Sequence, residues 1–213
     1  MTTYIELTMS TVALSAVNLM EREGAEIARG LRRRDSDLLD HLIEVYQHRL
    51  LRYLIYLTGN RERAEDLFQE TWMRVLERGS QYNGKSRFDT WLFAIARHLV
   101  IDASRKKTAM SLEALTNPLD GGMPVEFASA QPTPYEFTHM REESERVGAA
   151  LIHLEVAQRE VVMLRFQEDM SLDEIAAITG APLSTVKSRL YRGLEALKPF
   201  FAAKESLSQG ASA

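Results

Sequence analysis

Cysteine is absent from all 213 residues. That excludes disulfides, thiolate zinc sites and thiol nucleophiles together, and it fits a reducing, cytoplasmic setting. No apolar run approaches the ~18 residues that a membrane span needs. The N-terminus has Glu6 but no Lys or Arg before Arg22, so the charged start of a secretory signal is missing. His41, His48, His98, His139 and His153 show no paired metal spacing on a face shared with carboxylates. No metal, cofactor, catalytic set or small-molecule substrate is therefore expected. No stretch alternates with period two for long enough to argue a strand, which leaves an all-α chain. A basic balance is missing as well: net charge is −4, with a pI near 5.8.

Helical periodicity is what the sequence does have. Leu38, Leu42, Val45, Leu50, Tyr53, Leu54 and Leu57 recur on one face until Gly59 ends the run. Asn60 can cap the next helix, which runs to Arg78. Ser86 and Asp89 form a capping-box pattern that opens a helix through Lys107. Residues 108–140 then change character, with Pro118, Pro124, Pro132, Pro134, a Gly121–Gly122 pair and an acidic bias. This composition predicts a flexible linker. Helix resumes near Met140, runs past His153 and is followed by another from Val156. The predicted organisation is a flexible extension over 1–20, a helical domain over 21–107, the linker over 108–140, a second helical domain over 141–203 and a tail over 204–213. Charge divides along the same lines. Residues 31–107 carry 15 Lys/Arg against 11 Asp/Glu, whereas residues 108–144 carry one against six.

Ser171 to Lys198, SLDEIAAITGAPLSTVKSRLYRGLEALK, is the most informative stretch. Ser171 and Glu174 form a capping box that starts a helix at Leu172. Gly180 suits a sharp turn with positive φ, and Pro182 sits where a new helix can begin. The second helix buries Val186, Leu190, Leu194 and Leu197, a three-and-four spacing. Its other face presents Ser184, Thr185, Lys187, Ser188, Arg189 and Arg192. Two short helices around a Gly turn, the second carrying hydroxyls and bases, form a helix-turn-helix. Such side chains can reach phosphates and base edges. The alternative is an ordinary helical hairpin with a solvated basic face. With so few positive groups, counter-ion release gives limited DNA affinity, so a larger partner is expected to supply the rest.

In the first half, NRERAEDLFQETWMRVLER turns Ala64, Leu67, Phe68, Val75 and Leu76 inward and groups Glu62, Glu65, Asp66, Gln69 and Glu70 outward. The outward set is either a solvated face or a surface for a basic groove on a partner. In the next segment, Phe88, Trp91, Leu92, Ile95 and Leu99 form a core stripe bracketed by Lys85, Arg87, Arg97, Arg105, Lys106 and Lys107. Bases interleaved with aromatics are what a single-stranded DNA surface requires.

AEDLFQETWMRVLER followed by FDTWLFAIARHLVIDASRKK resembles the second conserved region of sigma factors. The segment from about Leu154 through LDEIAAITGAPLSTVKSRLYRGLEALK resembles the fourth. Two such regions on a tether resemble the group IV, or extracytoplasmic function (ECF), sigma factors. The resemblance implies an RNA polymerase sigma factor that binds core polymerase, recognises −35 and −10 promoter elements and promotes melting. It assigns Glu65, Asp66, Gln69, Glu70 and Arg74 to core polymerase. Lys85, Arg87, Trp91, Arg97, His98, Arg105, Lys106 and Lys107 go to the −10 strand and melting. Ser184, Thr185, Lys187, Ser188, Arg189, Tyr191 and Arg192 go to the −35 duplex. It also implies an anti-sigma partner that holds the two domains compact. His98 stands where members often have Asn, so no −10 preference carries over. Two rivals remain: a LuxR-type regulator, which needs a receiver or ligand-binding domain upstream, and an enzyme with Glu65, Asp66 and Glu70 around a metal.

Overall fold

The computed structural model describes residues 22–113 and 147–209, with side chains described over 22–105 and 147–201. The extension at 1–20, most of the linker and the last residues of the tail lie outside these. All regular structure among the described residues is helical.

In the first half α1 covers residues 22–33. It is followed by α2 (Ser36–Thr58), α3 (Arg61–Arg78), a 3-10 turn (Gly79–Gln81) and α4 (Phe88–Glu113). Local chemistry sets the boundaries. The Asp35 carboxylate accepts from the N–H groups of Asp37 and Leu38 at 3.1 and 3.2 Å and starts α2. Asn60 Oδ1 accepts from Arg63 N–H at 2.8 Å and starts α3. Each such cap stabilises its helix by about 1 kcal/mol. Between them, Gly59 N–H closes α2 on the Ile55 carbonyl at 2.8 Å.

The expected box at the start of α4 is replaced by another arrangement. Asp89 does not reach back to Ser86 but takes Arg87 Nε at 3.0 Å and Arg49 Nη2 at 3.4 Å. An ion-paired carboxylate gains more there than from a single backbone N–H. The helix also outruns its expected end at Lys107 and reaches Glu113, so the predicted linker begins as helix.

The core stripes hold with two exceptions. Leu50, Tyr53, Leu54, Leu92 and Phe93 are fully buried, each worth about 1.5–3 kcal/mol of transfer energy. Val45, expected inside, is 47% exposed because it lines the open groove between α1 and α2. Leu76 is 42% exposed on the outer flank of α3, while Thr71 and Trp72 take the inner positions. Before α4, the chain passes close against α1. A Cβ on Gly24 would stand 2.5 Å from the Gly84 carbonyl oxygen, so only a pair of glycines allows this approach, which fixes the loop carrying Lys85 and Arg87.

In the second half, α5 covers residues 147–152 in its described part and ends just before His153 rather than beyond it. Then come α6 (Val156–Phe166), α7 (Leu172–Thr179) and α8 (Leu183–Gln209). Arg159 ties the α5–α6 corner together: its guanidinium donates to the carbonyls of Leu151, Ile152 and Leu154 at 2.7–2.9 Å. The Leu151 carbonyl also accepts from Leu154 N–H at 3.1 Å, and Leu154 lies past the helix end, so the guanidinium braces the whole corner. The same side chain donates to the Tyr56 carbonyl at the end of α2 at 2.7 Å. Burial lowers its pKa below the ordinary arginine value. The box at Ser171 is present, with Glu174 N–H to Ser171 Oγ at 3.2 Å and Ser171 N–H to Glu174 Oε2 at 2.8 Å. Gly180 turns at φ 62°, and the Pro182 carbonyl accepts from Val186 N–H at 3.0 Å as α8 begins. That helix continues through Pro199 to Gln209, past the expected start of the tail.

The halves pack face to face, α4 against α7 and α2 against α6. Tyr53, Leu92, Phe93 and Ala96 of the first share one buried cluster with Val161, Leu164, Met170 and Ile175 of the second. The architecture is two small all-α domains, the second built around a helix-turn-helix.

Candidate nucleic-acid interface

The outward side chains of α8 are determined by Val186 and Leu197, which are buried and turn the opposite face to solvent. Ser184, Lys187, Ser188, Tyr191 and Arg192 are exposed, and Thr185 and Arg189 are half-buried beside them. Tyr191 is 70% exposed. Among the described residues, the ion pair on α8, Lys198 to Glu195 at 2.6 Å, lies nearer the C-terminus and engages no cation of this face. Its cations are therefore available to phosphates and guanine edges.

The set expected to handle single-stranded DNA is divided. Lys85, His98 and Arg105 are exposed, the His98 ring nitrogen facing the Ala94 carbonyl at 2.6 Å. Lys106 and Lys107 lie outside the residues whose side chains are described. Trp91 is half-buried and packs 5.2 Å from the Tyr82 ring and 5.8 Å from Phe88. Burial pushes the Tyr82 phenol up to about 12, and its O–H donates to the Ser86 carbonyl at 2.6 Å, bracing the loop.

Arg87 and Arg97 are not free. Arg97 Nε donates to Glu160 of α6 at 2.8 Å, and the same oxygen accepts the Tyr53 hydroxyl at 2.9 Å. Burial, and then the Glu160 charge, push the Tyr53 phenol well above its ordinary value, so it stays a donor. Arg87 binds Asp89 and stands 3.7 Å from Glu174 of α7. Its hydrogen bond to Asp89 holds its pKa above the ordinary arginine value.

Sequence reasoning did not find the acidic side of the contact between the two halves. Glu168, just after α6, is 3% exposed and takes Arg49 Nε at 2.6 Å and Arg52 Nη2 at 3.2 Å. Burial opposes the charge on Arg49, but Glu168 and Asp89 outweigh it and hold its pKa above the ordinary value. Glu160 within the apolar run VAQREVVMLRF was the available signal, since an acid on a buried stripe needs a cation. Nothing local says that the cation lies 63 residues back.

On α3, Glu65, Asp66, Gln69 and Glu70 are exposed along one face. Arg61 pairs with Glu65 at 2.8 Å, and Arg74 with Glu70 at 3.0 Å and Glu77 at 3.3 Å. Met73, 54% exposed, and Leu76 extend this charged face with an apolar edge that the sequence reading did not include. No group of acids and histidines suited to a metal occurs among the described residues.

The model of Sigma-70 region 2 matches residues 42–110, and that of Sigma-70, region 4 matches residues 144–197. Over 166 residues the chain is 30% identical to the ECF RNA polymerase sigma factor SigW of Bacillus subtilis, covering 77% of this chain and 89% of that one. The chain belongs to the ECF family of RNA polymerase sigma factors. A second relative, the ECF sigma factor SigE of Mycolicibacterium smegmatis, is 34% identical over 167 residues, 78% of this chain and 63% of that protein. Among solved structures, the sigma factor RpoE from Bartonella quintana, in complex with the anti-sigma factor NepR, superposes with a TM-score of 0.59 at 24% identity. The match covers 76% of this chain and 96% of that one. At this identity the likeness speaks for the fold. Sigma-70 region 2 over residues 42–110 stands where the LuxR-type reading needed a receiver or ligand-binding domain, and displaces it. No helix among the described residues is long and apolar enough to cross a membrane.

Proposed function

We propose that this sigma factor divides its work among three surfaces: α3 for core polymerase, the loop before α4 with α4 itself for the melted −10 strand, and α8 for the −35 duplex. The domains that carry them run over about 21–107 and 141–203. On α3, Glu65, Asp66, Gln69, Glu70 and Arg74 meet a basic partner surface, with Met73 and Leu76 adding apolar contact. Lys85, Arg87, Trp91, Arg97, His98, Arg105, Lys106 and Lys107 hold the strand by charge and stacking. On α8, Ser184, Thr185, Lys187, Ser188, Arg189, Tyr191 and Arg192 read the major groove and its phosphates. An anti-sigma protein is the expected regulatory partner, and the cytoplasm the expected site of action.

The observation that carries this reading is the exposed, unpaired cationic face of α8 in the second of two sigma regions. Run-off transcription with core polymerase on a library of promoter-sized fragments tests it. Transcripts that need this protein, and that share two spaced elements, are expected. Binding to duplex DNA with no core association and no transcript would overturn it.

A further inference from the structure

The contact between the two halves combines apolar packing with charge pairs, and the charges have a consistent sense. The second half presents carboxylates: Glu160, Glu168 and Glu174. The first half answers with Arg97, Arg49, Arg52 and Arg87. Glu160 and Glu168 are 4% and 3% exposed, and these arginines and the Tyr53 hydroxyl are the partners that replace water around them. The fit is also incomplete. Arg52 Nε and Gln167 Oε1 are buried with no hydrogen-bond partner. A junction of buried ion pairs with orphaned polar atoms is less favourable than an apolar one of the same size, and water can replace its bonds when it opens.

We infer that the sigma factor closes on itself without a partner protein, with Glu160 and Glu174 of the second domain occupying the arginines that a promoter strand needs. This rests on the reading of Arg87 and Arg97 as strand-binding residues. A carboxylate and a phosphate compete for the same guanidinium fork. While Glu160 holds Arg97, the strand must displace it and open the interface. Glu168, clamped by Arg49 and Arg52, supplies closing force and touches none of the proposed strand-binding residues. The −35 face of α8 takes no part in this contact. Apparent affinity for the strand then falls by the fraction of molecules that are open: if about a hundredth are open, about a hundredfold is lost.

The absence of native cysteine makes the test direct. Exposed Ser80 and Ala196 are each replaced by Cys in the full chain and labelled with a donor–acceptor pair. Energy transfer then reports closure. Binding of a fluorescent pool of random 15-nucleotide single strands is measured on the same molecules. The unmodified interface is expected to give high transfer. The double variant Glu160→Gln, Glu168→Gln keeps shape and removes charge; it is expected to lower the transfer and tighten strand binding by up to about a hundredfold. Arg52→Ala opens the interface from the opposite side and is expected to act in the same direction, which guards against a folding defect peculiar to the acid variants. Unchanged transfer in both variants would overturn closure by these pairs. Lower transfer with no gain in strand binding would overturn the masking. Adding Arg97→Ala to the open variant separates the underlying reading: loss of the gained affinity supports it, and full retention means that Arg97 does not hold the strand.

Discussion

Two surfaces of this protein are proposed to meet DNA, and the structure treats them differently. On α8, Lys187, Ser188, Tyr191 and Arg192 stand in solvent, held out by the burial of Val186 and Leu197 behind them. On α4, Arg97 is tied to Glu160 at 2.8 Å, and Arg87, just ahead of the helix, to Asp89 and Glu174. The difference follows the chemistry of the two targets. A duplex is always present and weakly bound by a few cations, so an exposed helix can sample it at little cost. A melted strand exists only after a few kcal/mol have been spent on unstacking. Cations proposed for that strand are better kept from binding any polyanion, and Glu160 and Glu174 of the same chain are placed beside Arg97 and Arg87.

The largest expected effect breaks the comparison from the α4 side. Glu168→Ala leaves Arg49 and Arg52 facing a buried space without their carboxylate. Orphaning a buried charge costs about 3–5 kcal/mol, and the partial exposure of these arginines reduces that to about 2–3 kcal/mol. An unfolding free energy from urea denaturation lowered by this amount is the check. Glu65→Ala, which breaks only the exposed pair with Arg61, sets the scale at under about 0.5 kcal/mol.

Next in size is a change on the open face. Arg192→Ala should weaken −35-dependent initiation by about 1–3 kcal/mol while single-strand binding stays the same. Template competition between promoters with and without an intact −35 element measures it, and an unaltered preference removes Arg192 from the reading set. The smallest effect concerns neither DNA surface. Asp66→Ala should weaken core association by about 1 kcal/mol or less, as one charge on a partly wet surface does. Circular dichroism should show the same helicity; its collapse would make Asp66 structural.

How much of this was legible in the sequence follows the range of the interaction. The Ser171–Glu174 box, the Gly180 turn and the caps at Asn60 and Gly59 are settled within a few residues, and each stands where the pattern put it. Side-chain periodicity gave the inner faces but failed at Val45 and Leu76, because a helical stripe says which residues share a face and not how far the neighbouring helix extends over it. The interdomain pairs were out of reach. Arg49 and Glu168 are 119 residues apart, and each alone resembles an ordinary surface charge. The Ser86–Asp89 pattern shows the reverse failure: a valid local signal was overridden when Arg49 and Arg87 gave Asp89 stronger partners.

The most direct measurement compares two probes on the free, full-length protein: a duplex carrying the −35 element selected by run-off transcription, and a single strand carrying its −10 element. Both are measured before and after core polymerase is added. Closure by the interdomain pairs predicts that the free protein binds the duplex, weakly, and gains the single strand only with core, or in the Glu160→Gln, Glu168→Gln variant. Equal binding of both probes by the free wild-type chain would contradict it.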